Sequence, residues 1–167
     1  MLRHKHNLAR EGAVTGLIGA TVVALWFFLI DLSQGHPLAT PNVLGEVFVF
    51  GTASPSITVV NLWAVAAYTI VHVLVFTVIG MALTSLFHAS MVSPLARPAL
   101  LMSFIAFEFF FLGVTLLFNA RTGQSFPAWS VLSANGLAAV AMGGWLWRGH
   151  PAIKRAIDRL PLGAGQY

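Results

Sequence analysis

The chain has 167 residues, 57% of them hydrophobic and 8% charged, with a mean hydropathy of +0.82, a net charge of +4 and an isoelectric point near 10.4. A soluble domain carries about 25% charged residues, so this composition excludes an ordinary globular surface and fits a chain solvated by lipid. The absence of cysteine excludes disulfides, thiolate metal sites, iron–sulfur clusters and c-type haem attachment.

Four stretches are apolar for the roughly 20 residues that a membrane helix needs, about 13–32, 59–84, 99–118 and 128–147. None has the alternation of a barrel strand, and backbone groups in lipid must be satisfied within the segment, so each is expected to be a helix. The length suits one transmembrane domain spanning 1–167, with residues 148–167 as its cytoplasmic tail. The expected fold is therefore all-α: a four-helix transmembrane bundle with a short helix in the outer loop and an amphipathic helix at the C-terminus.

The first stretch follows MLRHKHNLAR. Its apolar run exceeds the 7–15 residues of a signal core, and no small-x-small cleavage site follows, so it reads as a retained helix. Gly12, Gly16, Ala20 and Ala24 recur at every fourth position, a small-residue ladder that lets a second helix approach closely. Asp31 continues that face at the outer end, as an interfacial carboxylate. In the loop that follows, Thr40 suits a helix cap and Pro41 a first helical position, which predicts a short helix over 41–50.

The second helix carries His72 near its midpoint, with Asn61, Tyr68 and Thr69 on the same broad face. The third runs the other way and carries Glu108 in SFIAFEFFFLGV, with Thr115 and Asn119 on its face. The fourth carries Asn135, followed by Ala139 and Gly143. His72 lies roughly 20 Å, and Glu108 roughly 15 Å, from the outer end of its helix. An antiparallel hairpin would let them face each other. A lone carboxylate in lipid costs about 2.5–3.5 kcal/mol on insertion scales, so Glu108 must pair, protonate or face water. Three roles follow for a His72–Glu108 pair: an interhelical hydrogen bond that sets register, a proton-coupling site, or a contact to a partner subunit or pigment. The first leads, because broken helices and internal repeats, the usual marks of a transporter, are missing.

No metal site is expected. His72 alone lies well inside a span, His88 falls beyond the inner end of the same helix, His36 is in the outer loop, and His4, His6 and His150 are cytoplasmic flanks. That spacing argues against bis-histidine haem within one chain. Catalytic motifs are absent too: H-E-x-x-H, G-x-S-x-G, the P-loop and the dinucleotide fingerprint. No catalytic residues, cofactor or enzyme activity are expected, with lipid or pigment contacts left open.

Orientation follows from the basic residues. Arg3, Lys5 and Arg10 precede the first helix, Arg97 lies between the second and third, and Arg148, Lys154, Arg155 and Arg159 follow the fourth. Arg121 alone falls on the other side. The positive-inside bias places both termini in the cytoplasm. It also assigns the basic excess to membrane anchoring, so nucleic acid is not an expected partner. In the tail, Ile153, Ile157 and Leu160 form an apolar stripe beside Lys154, Arg155 and Arg159, which suits a surface helix on the cytoplasmic leaflet.

The stretch from EGAVTGLIGA through LWFFLIDL, GHPL and TPNVLG, with FEFFFLG and MGGWLWR further on, resembles small uncharacterised bacterial membrane proteins with four predicted helices. No activity is attached to that group. The resemblance implies a bacterial inner-membrane protein. The soluble parts are too small to house a catalytic domain, and the ladder on the first helix offers a docking face. The expected role is an accessory or structural subunit packed against a larger membrane complex of respiratory or photosynthetic electron-transport type. The partners would be the lipid bilayer and other membrane subunits. The alternative is a small proton-coupled transporter built on Glu108 and His72.

Overall fold

A computed structural model describes residues 7–93, 96–123 and 126–150, with backbone alone at 91 and 92. The expected tail helix lies outside the described residues. Five α-helices and no strands are found among them: α1 Leu8–Ser33, α2 Ala39–Phe48, α3 Leu62–Val92, α4 Ala96–Thr122 and α5 Ala128–Gly149. Three of these, α1, α3 and α4, are long and apolar enough to cross a membrane. Asn135, Ser130, Ser133 and four glycines dilute the apolar character of α5.

The long helices outrun the apolar stretches that predict them. Helix α1 begins at Leu8, where the Asn7 side chain caps the first turn by accepting from Arg10 N–H at 3.4 Å. Glu11 lies in that first turn, where the helix dipole favours a negative charge. Helix α3 continues two turns past the expected end, through Ser85, His88 and Ser90. Polarity does not stop a helix whose backbone ladder is intact, and this extension carries His88 back to the rest of the fold.

Packing centres on an antiparallel seam between α1 and α3, the most extensive contact in the molecule. A Cβ on Gly12 would lie 2.6 Å from Met81 Cα, and one on Gly80 would lie 2.6 Å from Gly16 Cα. One on Gly16 would meet Thr77 Cα at 2.7 Å. The two backbones therefore touch, as small residues permit. This close approach fixes which face of α3 looks at α1. Every fourth residue of α3 meets it in turn. The His72 ring nitrogen Nε2 donates to Ala20 O at 3.1 Å, Phe76 packs at Gly19, and Gly80 sits between Gly12 and Gly16. Thr84 Oγ1 then contacts Thr15 Oγ1 at 3.4 Å, with both threonines fully buried, and His88 reaches Glu11.

The expected small-residue ladder is corrected at its outer end. Gly12, Gly16 and Ala20 are buried, but Ala24 is exposed. Each four-residue step turns about 40° past a full turn at 3.6 residues per turn. By the third step the ladder has rotated off the contact, and Gly19 and Val23 fill the face instead.

Helix α5 packs against α1 beside α3, and both reach Gly19. The Trp26 indole N–H donates to Ser130 O at 3.0 Å, and the Trp26 ring meets Trp129 edge-on. Ala20, Val23, Phe76, Ala134, Ala138 and Met142 form the main buried cluster. Helix α4 is the least buried of the three long apolar helices.

At one end of the bundle, the start of α1 and the ends of α3 and α5 meet. At the opposite end, α2 folds down onto α3. Thr40 is not the helix cap. Leu38 holds that position with a left-handed φ of 74° and no side-chain cap bond. Thr40 lies inside the first turn, and its N–H and hydroxyl both donate to the Asp31 carboxylate, each at 2.7 Å. Asp31 thus satisfies an N–H that the helix start leaves orphaned. Asn42, fully buried, ties the following loop. Its amide donates to Ser56 O and Val59 O, and its Oδ1 accepts from Asn61 N–H at 2.7 Å.

Candidate functional site

Of the polar residues singled out for chemistry, His72, Glu108, Tyr68, Thr115 and Asn135 border two cavities, while Asn61 and Asn119 hold backbone; a separate polar cluster lies at one end of the bundle. His72 and Glu108 are held by different partners. The seam turns His72 toward α1, where Ala20 O takes its Nε2–H and Tyr68 and Phe76 flank the ring. Glu108, on α4, accepts instead from the Asn135 amide of α5 at 3.3 Å through Oε2. Its Oε1 is buried without a hydrogen-bond partner. The expected facing pair is therefore replaced by two separate interhelical bonds. Position along the two helices allows the pairing, but the rotation of α3, set by Gly80 against α1, turns His72 away from it.

Glu108 lines a cleft of about 740 Å³ between α3, α4 and α5. Its walls are largely apolar, with Phe76, Leu83, Phe104, Phe107, Phe111 and Met142 prominent, and Ser90, Arg97 and Arg148 lie toward one end. A Cβ added at Gly143 or Gly144 would meet nothing within 4 Å, so the α5 wall opens onto space rather than onto protein.

A smaller cavity of about 240 Å³ lies toward the opposite end, lined by Tyr68, His72, Phe111, Thr115 and Asn135 among others. Asn135 borders both cavities. Thr115 donates to its own helix at Phe111 O, 2.8 Å away. The remaining polar candidates hold backbone. Asn61 caps α3 by accepting from Trp63 N–H and Ala64 N–H. Asn119 clamps the turn into α5, donating to Phe126 O at 2.9 Å and accepting from Phe126 N–H at 3.0 Å.

The third feature went unforeseen. At the end of the bundle where Arg10 lies, Glu11, His88 and His150 converge from α1, α3 and the end of α5. His88 Nε2 is 3.3 Å from Glu11 Oε2, His150 Nε2 is 3.4 Å from Glu11 Oε1, and the two Nε2 atoms are 3.0 Å apart. His150 Nδ1 is 3.0 Å from Leu146 O. A carbonyl only accepts, so Nδ1 carries the proton and Nε2 faces the cluster. The sequence does hold a signal. Glu11 precedes the first apolar stretch, His88 follows the second and His150 follows the fourth, so helices that alternate in direction bring all three to one end. Treating His88 and His150 as separate flanks hid it.

No family model matches the chain, and neither the curated proteins nor the solved structures contain a significant match to it.

Proposed function

We propose that the chain is a multi-pass protein of the bacterial inner membrane that serves as a non-catalytic accessory subunit of a larger membrane assembly. In this reading α5 is the fourth span, and both termini lie in the cytoplasm. Arg10, Arg97 and Arg148 lie at the helix ends of one side, and Arg121 closes α4 at the other, which supports that orientation. The observation that carries the role is the cleft beside Glu108. A buried carboxylate oxygen without a donor is costly in an apolar setting, and here it borders a cleft with small residues along one wall. A side chain from a partner helix that donates to Glu108 while packing on Gly143 and Gly144 satisfies both features. The α1 ladder no longer serves as the docking face, because α3 occupies it.

Gentle detergent extraction followed by native mass measurement tests the role. A discrete heteromeric species is expected, and Glu108→Gln should weaken it. Recovery of the isolated monomer under the mildest conditions would contradict the reading.

A second reading, a small proton-coupled carrier, is favoured by one observation: Asn135 borders both cavities while bonded to Glu108, so a polar group stands between two spaces stacked along the bundle. It predicts a pH-dependent flux in liposomes that Glu108→Gln abolishes. A flux that survives this substitution would remove it.

A further inference from the structure

We propose that Glu11, His88 and His150 form a binding site for one divalent transition-metal ion of the zinc class, which clamps the ends of α1, α3 and α5 together. The spacing is the first argument. A tetrahedral ion with ligand bonds of about 2.0–2.1 Å sets its ligands about 3.3–3.4 Å apart. The two imidazole Nε2 atoms are 3.0 Å apart, each lies 3.3 or 3.4 Å from a different oxygen of the Glu11 carboxylate, and one ligand atom from each residue falls within 4.8 Å of the others, so an ion between them reaches all three after a small adjustment of the side chains.

The donor set is the second argument. Two imidazoles and one carboxylate suit zinc and its first-row neighbours, and do not suit magnesium or calcium, which take oxygen ligands. Third, the outer contacts are those of a ligand. The His150 Nδ1–H bond to Leu146 O fixes the tautomer that leaves Nε2 as the donor atom, which is how metal-binding histidines are ordinarily oriented. The side chains are 16, 24 and 8% exposed for Glu11, His88 and His150 respectively, shielded from bulk water yet reachable by an ion.

The site joins residues separated by most of the chain, so bound metal would oppose separation of the three helix ends. Binding to the native state alone raises stability by mass action, by about 2.7 kcal/mol at a free concentration one hundred times the dissociation constant.

The test uses the full chain without an affinity tag, carrying His4→Ala and His6→Ala to remove an N-terminal histidine pair that could bind metal by itself. After chelator treatment, zinc chloride is titrated in by calorimetry and the unfolding temperature is followed. The expected result is one ion per chain and a rise in the unfolding midpoint. Glu11→Gln and His150→Gln should each weaken binding by more than the roughly 10–100-fold that loss of an outer-shell partner costs. His72→Gln, remote from the site, should leave binding unchanged. X-ray absorption on the zinc-loaded parent gives a readout that does not depend on any variant folding, and two imidazole ligands are expected. Unchanged affinity in the Glu11 and His150 variants, no saturable binding, or a coordination shell without two imidazoles would each overturn the proposal.

Discussion

The α1–α3 seam and the α3–α4–α5 cleft are built from the same kinds of residue and do opposite things. Along the seam, glycines bring backbone onto backbone, and every fourth residue of α3 is committed to α1. Along the cleft, Gly143 and Gly144 face open space, and α4 leans on its neighbours through few buried residues. Glycine in a helix therefore marks a close approach only when a partner is present. The seam glycines have their partner inside the chain. The cleft glycines do not, and on the proposed reading theirs is another subunit.

The difference can be broken directly. Gly16→Leu or Gly80→Leu would drive a side chain into the facing backbone, with a destabilisation of about 3 kcal/mol or more, read as lost folded yield and a collapsed unfolding midpoint. Gly143→Leu, the same change in the cleft, should leave the isolated chain folded with its midpoint within a few degrees. Equal damage at both sites would erase the distinction.

Next in size is Asn42→Ala. This buried amide makes three bonds to the backbone of 56–61, and its loss should cost about 2–3 kcal/mol and loosen the loop, measured as faster hydrogen exchange there. A smaller effect belongs to His72→Phe. It removes one interhelical bond to Ala20 O, of a kind that averages about 0.6 kcal/mol in membranes, so a modest fall in the unfolding midpoint is expected. Smallest for the isolated chain is Glu108→Gln, which keeps an acceptor for Asn135. Its midpoint should barely move, while its association with partners should weaken.

Much of the architecture is legible in the sequence, since composition and apolar length dictate helices that can cross a membrane. Gly12 and Gly16 are legible too, because small residues four apart have few other uses in such a helix. The partners of His72 are not. Depth can be counted along a helix, but rotation depends on which face a neighbour occupies, and here Gly80 decides it. The stripe His72, Phe76, Gly80, Thr84 and His88 recurs every four residues. It becomes readable only when Gly80 is matched to the α1 glycines. The Glu11, His88 and His150 cluster is hidden for a related reason, since the three residues lie far apart in the chain and only the arrangement of the helix ends brings them together. Asp31 shows the local limit: its role as acceptor for Thr40 depends on the path of 34–39, where Leu38 turns left-handed.

On the proposed reading, the cleft beside Glu108, and not the outer surface of α1, is where a partner docks. A photoactivatable side chain placed in native membranes at Phe107, which lines the cleft, and at Leu25, which is exposed on α1, tests it most directly. One protein adduct of defined mass is expected from position 107, diminished by Glu108→Gln, and lipid adducts alone from position 25. Lipid adducts alone from position 107, or the same protein adduct from both positions, would contradict it.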